Sequence, residues 1–242
     1  SQGQSVPAEL VAYDYDTGFG LVRATRPLQA RPIEIGVSSN LATGDRVLVA
    51  GFGGMDQALN GQIIAIRGFA GYWEYMLTEA IFVSPPHPNW GGTGLIDDNG
   101  TLVGLGSLYI EDIGSQEQRK SGTMFLPIDM LKPIFNELLE HGRTTKPARP
   151  WLGIFTAENE GRLEVIAVAP DGPAERAGIK AGDTIVKIGA TVVNDLTSMY
   201  RCLWDSGSAG TVIRITTLRD TYALHLEISS EDRYTRLKFL RE

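Results

Sequence analysis

The sequence has little sulfur, little imidazole and a deficit of positive charge. Its 242 residues include one cysteine and three histidines. Cys202 cannot form an intrachain disulfide; it falls in an apolar helical pattern and reads as a small buried hydrophobe. His87, His141 and His225 are far apart, and none sits with Cys, Asp or Glu at metal-ligand spacing. No metal site and no cofactor is expected. Lys and Arg number 22 against 29 Asp and Glu, a formal net charge of −7. That balance argues against nucleic acid, which demands a basic face, and there is no polybasic patch for anionic lipid. No apolar run approaches the roughly 18 residues of a membrane span, so no membrane contact is legible. The opening SQGQSV does not resemble a signal peptide.

What is present is a globular composition, 43% hydrophobic and 21% charged. Residues 1–126 read as all-β, with short apolar runs between Gly, Pro, Asn and Asp. The strand candidates are AELVAY, GLVRA, RVLVAGF, QIIAIRGF, AIFV, TLVGLGSLYI and TMFLPI. Asp98-Asn99-Gly100 signals a tight turn. Residues 127–149 form a connection. In it, Met130, Leu131, Ile134, Phe135, Leu138 and Leu139 recur at helical spacing, with Asp129 as N-cap and Gly142 as stop. RTTKPARP is then a polar linker.

After Trp151 the pattern changes. LEVIAVA reads as a strand and GPAERAGI as a short helix with Pro173 near its start. AGDTIVKIGATVV gives two strands around a Gly189 turn. Leu196, Met199, Tyr200, Leu203 and Trp204 follow the rule for an amphipathic helix. TVIRITTL and YALHLEI close the domain, and His225 and Glu227 face away from the apolar side of the last strand. This domain spans 150–230, leaving 231–242 as a tail.

The stretches WLGI, VAPDGPAERAGIKAGDTIVKIGATVV and LTSMYRCLW resemble a PDZ domain of the type fused to HtrA/Deg proteases. Upstream, PAELVAYDYDTGFGLVRA, TGLIDDNGTLVG and MFLPIDMLKPIFNELLEHG resemble the protease domain of that family. The resemblance implies a mostly β protein: a trypsin-like, chymotrypsin-fold double β-barrel, its N-terminal barrel incomplete, followed by an α+β PDZ domain. It also implies an extracytoplasmic protein.

A trypsin-type site needs a serine nucleophile, a histidine base and an aspartate that orients it. The family's serine stands in a GNSGGPL run. Aligned on Leu95 and Gly100, this chain reads Asn89-Trp90-Gly91-Gly92-Thr93-Gly94-Leu95, so Gly91 holds the nucleophile position. The family's aspartate stands in a D-x-x-x-D-L-A-V run. Here that position is Gly18, with Asp14 and Asp16 displaced from it. The family's histidine is expected upstream of the first residue. Thr93 offers a hydroxyl, and His87 is the nearest base in sequence; His87 reads instead as a surface residue of a proline-rich loop. Trp90 either fills the vacated cleft or packs in the core. GFGG at 51–54 lacks the ending of a phosphate loop.

The binding residues survive. In the HtrA type, an aromatic-aliphatic-Gly-aliphatic tetrad holds a peptide's terminal carboxylate. Here it is Trp151-Leu152-Gly153-Ile154, with Ile154 and Phe155 opening the strand that pairs with the ligand. Met199 and Leu203 are candidates for the apolar pocket, or for ordinary core.

The implied function is that of a catalytically inactive HtrA-like homologue. It would bind peptides or protein C-termini through the PDZ domain and regulate or scaffold an active protease. Its partners would be such peptides, an active HtrA-type protease or further copies of itself. Two alternatives stand beside it: an active serine endopeptidase whose residues this alignment misplaces, and an assembly subunit whose PDZ groove its own chain occupies.

Overall fold

The computed structural model describes residues 5–113 and 120–236. The chain divides into two compact units: Ser1–Phe69 with Leu77–Thr145, and Ala70–Met76 with Lys146–Glu242.

The first unit opens with a two-stranded antiparallel sheet, β1 (Ala8–Tyr13) and β2 (Gly20–Ala24). Six further strands follow: β3 (Arg46–Ala50), β4 (Leu59–Gly71), β5 (Tyr75–Ser84), β6 (Gly94–Ile96), β7 (Leu102–Ile110) and β8 (Gly122–Pro127). They close into a barrel in the order β3-β4-β5-β8-β7-β6. The inward positions of the alternating strands form its core: Val47, Val49, Ile63, Ile81, Val83, Leu95, Val103 and Phe125 are all buried together. One barrel is therefore closed, and the strand pair β1–β2 is what the described residues show of the other. The β6–β7 turn is built as its sequence requires. The Asp97 carboxylate accepts the N–H groups of Asn99 and Thr101, and Gly100 sits at φ 79°.

The helix expected from 129 to 141 is shorter than its apolar spacing suggests. A 3-10 turn covers Ile128–Met130, and α1 begins only at Phe135 and runs to His141. Pro133 interrupts the segment, because it has no N–H to donate and its ring crowds the preceding turn. Asp129 is thus not an N-cap. Its carboxylate instead accepts the Ser39 N–H at 2.8 Å and the Lys132 ammonium at 2.7 Å. Gly142 does stop α1, at φ 74° with its N–H on the Leu138 carbonyl.

The second unit is a five-strand path with one side strand. β9 (Ile154–Asn159), β10 (Arg162–Val168), β11 (Thr184–Ile188), β13 (Val212–Arg219) and β14 (Tyr222–Ser229) run in the order β14-β13-β11-β10-β9, and β12 (Thr191–Val192) pairs with β11. Two helices complete it, α2 (Pro173–Arg176) and α3 (Leu196–Asp205). Asp195 caps α3 through the Ser198 N–H at 2.7 Å. The buried face of α3 joins strand residues in one core, in which Met199, Tyr200 and Leu203 pack with Leu152, Ile154, Val165 and Ile213.

Two features depart from a contiguous division of the chain. Residues 70–76, the end of β4, the turn after it and the start of β5, belong to the second unit. Residues 231–236, expected as a tail, are tied in: Trp151 and Glu231 exchange two backbone hydrogen bonds. The last residues of the expected tail, 237–242, lie outside the described part of the chain.

Candidate functional site

In the first unit, the loop from His87 to Thr93 contains Gly91, the residue expected at the nucleophile position. Gly91 is exposed, and a Cβ built on it would meet no heavy atom within 4 Å. Gly92 follows at φ 77°. Thr93 is buried and its hydroxyl donates to the Trp90 carbonyl at 3.0 Å. The loop is pinned to β7 by hydrogen bonds from the Gly92 N–H to Gly106 and from the Gly106 N–H to Thr93.

His87 is not the surface residue its prolines suggest. It is 1% exposed, its Nε2 lies 2.8 Å from the Gln57 carbonyl, and its Nδ1 accepts the Asn89 N–H at 3.0 Å. Accepting at Nδ1 makes Nε2 the protonated nitrogen, so no lone pair remains for a general base. The same bond spends a donor. In a trypsin-type oxyanion hole, the N–H of the nucleophile and that of the residue two before it face the oxyanion. With Gly91 at the expected nucleophile position, the second of these would be Asn89.

Trp90 is 37% exposed, so of the two roles expected for it core packing does not describe it. Gly18 lies in the β1–β2 turn at φ 84°, its N–H bonded to the Asp14 carbonyl. The Asp14 carboxylate is engaged within that turn by the N–H and hydroxyl of Thr17. Among the described residues, no cluster of three His, Cys, Asp or Glu could hold a metal.

In the second unit the expected binding residues converge. Trp151, Leu152, Gly153 and Ile154 form the loop leading into β9, and all four are buried. Gly153 sits at φ 77°, and a Cβ there would lie 2.9 Å from the Ala169 Cβ and 3.0 Å from the Trp151 ring. Glycine is required on both counts. The loop's carbonyls are held from behind, Leu152 by the Ala174 N–H at 2.9 Å and Gly153 by the Ala169 N–H at 2.7 Å. The N–H groups of Leu152, Gly153 and Ile154 therefore point together, which is a carboxylate cradle. Phe155 is half-buried at the start of β9. Met199 and Leu203 are 3% and 2% exposed and lie in the core cluster, and Ala70 and Met76 pack against that cluster.

The cradle is filled. The Glu74 carboxylate accepts from Leu152 at 3.1 Å, from Gly153 at 2.7 Å and from Ile154 at 2.8 Å. Burial pushes its pKa above the ordinary carboxylate range, against the opposing pull of those N–H groups and of the Arg233 charge. Tyr200, read from the sequence only as an apolar helix residue, clamps the same turn. Its hydroxyl donates to the Gly71 carbonyl at 2.6 Å and accepts the Glu74 N–H at 3.1 Å. Burial likewise raises the Tyr200 pKa, so the phenol stays protonated. Glu74 was missed because nothing in its spacing links it to residues 78 to 80 positions away. The available signal was a lone acidic residue inside the aromatic run YWEY.

A trypsin-like peptidase domain model matches residues 1–105, and a PDZ domain model matches residues 150–229. The order of domains is that of the HtrA-type trypsin-like proteases with a PDZ domain. Protease Do-like 1, chloroplastic, of Arabidopsis thaliana is 26% identical over 253 aligned residues, covering 93% of this chain and 55% of that protein. The periplasmic serine endoprotease DegP of Salmonella typhimurium is 25% identical, covering 96% and 51%. The chain thus spans about half the length of the curated relatives it matches. Among solved structures, the HtrA-type protease AlgW with decapeptide superposes with a TM-score of 0.56 at 22% identity, covering 95% of this chain and 72% of that one. The serine endoprotease from Yersinia pestis gives 0.52 at 23% identity, covering 93% and 75%. These likenesses carry the fold: a mostly β, trypsin-like domain followed by a PDZ domain.

Proposed function

We propose that this HtrA-type chain does not hydrolyse peptides and acts through its PDZ domain, as a binder of peptides or protein C-termini. One observation carries the first half. Gly91, at the expected nucleophile position, has no side-chain oxygen to attack with, and among the described residues neither neighbouring candidate takes its place. The Thr93 hydroxyl is buried on the Trp90 carbonyl, and the nearest histidine in sequence has both ring nitrogens in use. Loss of the nucleophile lowers turnover on the order of 10⁶-fold in a serine protease. Gly18 at the aspartate position supports the same reading.

The binding half rests on the preformed cradle of Leu152, Gly153 and Ile154, a geometry that collects a carboxylate through backbone N–H groups. The solved relative described with a decapeptide agrees with a peptide-binding role. An active HtrA-type protease, or further copies of this chain, are the partners such a protein would regulate or scaffold. The periplasmic relatives favour an extracytoplasmic site of action. No described helix is long and apolar enough to cross a membrane.

The deciding experiment exposes the protein to a fluorophosphonate probe and to unfolded casein, beside the Gly91→Ser variant. The expected result is no labelling and no cleavage by the native protein. Reproducible labelling of the native chain would overturn the reading, and the labelled residue would identify the nucleophile.

A further inference from the structure

The segment 70–76 meets the cradle in the manner of a bound peptide. The Glu74 carboxylate takes the three N–H groups of Leu152, Gly153 and Ile154. Two residues earlier, the Tyr72 carbonyl accepts the Thr156 N–H at 2.8 Å. Ile154 and Thr156 are alternate residues of β9, so their N–H groups lie on the same strand edge. Glu74 lies by Ile154 and Tyr72 by Thr156, so the segment runs antiparallel to β9. That is the pattern of strand addition at a sheet edge, made here through one backbone hydrogen bond, with a carboxylate at its end.

The side chains agree. The Tyr72 ring lies 6.2 Å from that of Phe155, and Ala70 and Met76 pack on the core that includes Met199 and Leu203. Glu74 is held at φ 55°, a backbone region unfavourable to a residue with a side chain, which its surroundings must impose.

We propose that residues 70–76 are an intramolecular ligand of the PDZ groove, with Glu74 in the place of a peptide's C-terminal carboxylate. A peptide with a free carboxyl terminus and an apolar last residue then competes with it for the same three N–H groups. This deepens the peptide-binding reading above and rests on it. A tethered ligand acts at an effective concentration of order millimolar for short connections, and an external peptide sees only the open fraction of the groove. The native protein is therefore a weak binder, and loss of the Glu74 carboxylate makes it a stronger one.

The test uses the whole chain and two fluorescein-labelled pools of random decapeptides ending in Val, Leu, Ile or Phe. One pool has free carboxyl termini and the other carboxamides. Fluorescence anisotropy is read for the wild type, Glu74→Ala and Glu74→Gln, with near-ultraviolet circular dichroism to check each fold. The expected result is that Glu74→Ala binds the carboxylate pool at least tenfold more tightly than wild type, and the carboxamide pool no more tightly. Glu74→Gln keeps the side-chain shape without the charge; it is expected to fall between, and it serves as the test should Glu74→Ala fail to fold. Equal affinity of wild type and a folded variant would overturn the competition and leave the groove reading standing. No binding by any folded form would remove both, and Glu74 would then be a fixed part of the loop.

Discussion

Glycine stands at the centre of both candidate sites, and it means opposite things in them. At Gly91 a side chain would meet open space, and under the proposed reading the attacking hydroxyl is what the glycine omits. At Gly153 a side chain would strike Ala169 and Trp151, and the absence of one is what lets three N–H groups face a single carboxylate. A catalytic site depends on particular side-chain atoms, so one residue type decides it. A backbone-built site depends on the course of the chain, and that is fixed by the packing behind it.

That contrast can be broken by mutation, and the largest effect is expected in the core that shapes the cradle. Leu203→Ala should cost about 2–5 kcal/mol in urea denaturation, because a fully packed side chain leaves a cavity. Gly153→Ala should cost about 1–3 kcal/mol for a side chain at φ 77°, with loss of the shared hydrogen bonds to Glu74 seen in amide shifts. A well-tolerated Gly153→Ala would mean that the loop is not held as described. Tyr200→Phe should cost about 1–2 kcal/mol, since the Gly71 carbonyl and the Glu74 N–H lose their partner in a buried place.

Two buried carboxylates of the second unit sharpen the comparison through pH. Hydrogen bonding from Arg219 lowers the Asp183 pKa, with burial opposing. Its contribution to stability is present above the ordinary value of 3.8 and is lost as pH falls through the lower folded value. Glu74 runs the other way. Its folded pKa is raised, so the folded state favours the proton and stability declines as pH rises from the ordinary 4.5 through the folded value. Urea melts across pH should show Asp183→Asn flattening the acid limb and Glu74→Gln flattening the decline above it.

Gly91→Ser should be the smallest change, within about 0.5 kcal/mol of wild type, because the position is exposed and open. It should also leave casein intact, since both ring nitrogens of His87 stay engaged. A stability loss well beyond that would show that the loop does not tolerate a side chain.

Much of this was legible in the sequence, for local reasons. The β1, β2 and α3 segments followed from period and punctuation, and the Gly142 stop from the φ that only glycine adopts easily. The cradle tetrad is a contiguous stretch, readable by resemblance, and so is the run in which Gly91 is proposed to hold the nucleophile position. One error came where distant chain intervened. His87 looked exposed among prolines, yet Gln57 and Thr123 enclose it. Met199 and Leu203 were open between groove and core because one helical face serves both. Asp129 looked like a cap, and Pro133 delayed the helix past it.

The sequence by itself determined the domain types, the absence of a side chain at Gly91 and the run at 151–154 that holds a carboxylate. Each is a matter of which residue stands at one position or of a short run. Only the tertiary structure decided what fills that loop. Glu74 lies 78 residues before Leu152, and its partners are backbone N–H groups that every non-proline residue carries. No residue type marks them, so folding alone brings this carboxylate to these donors.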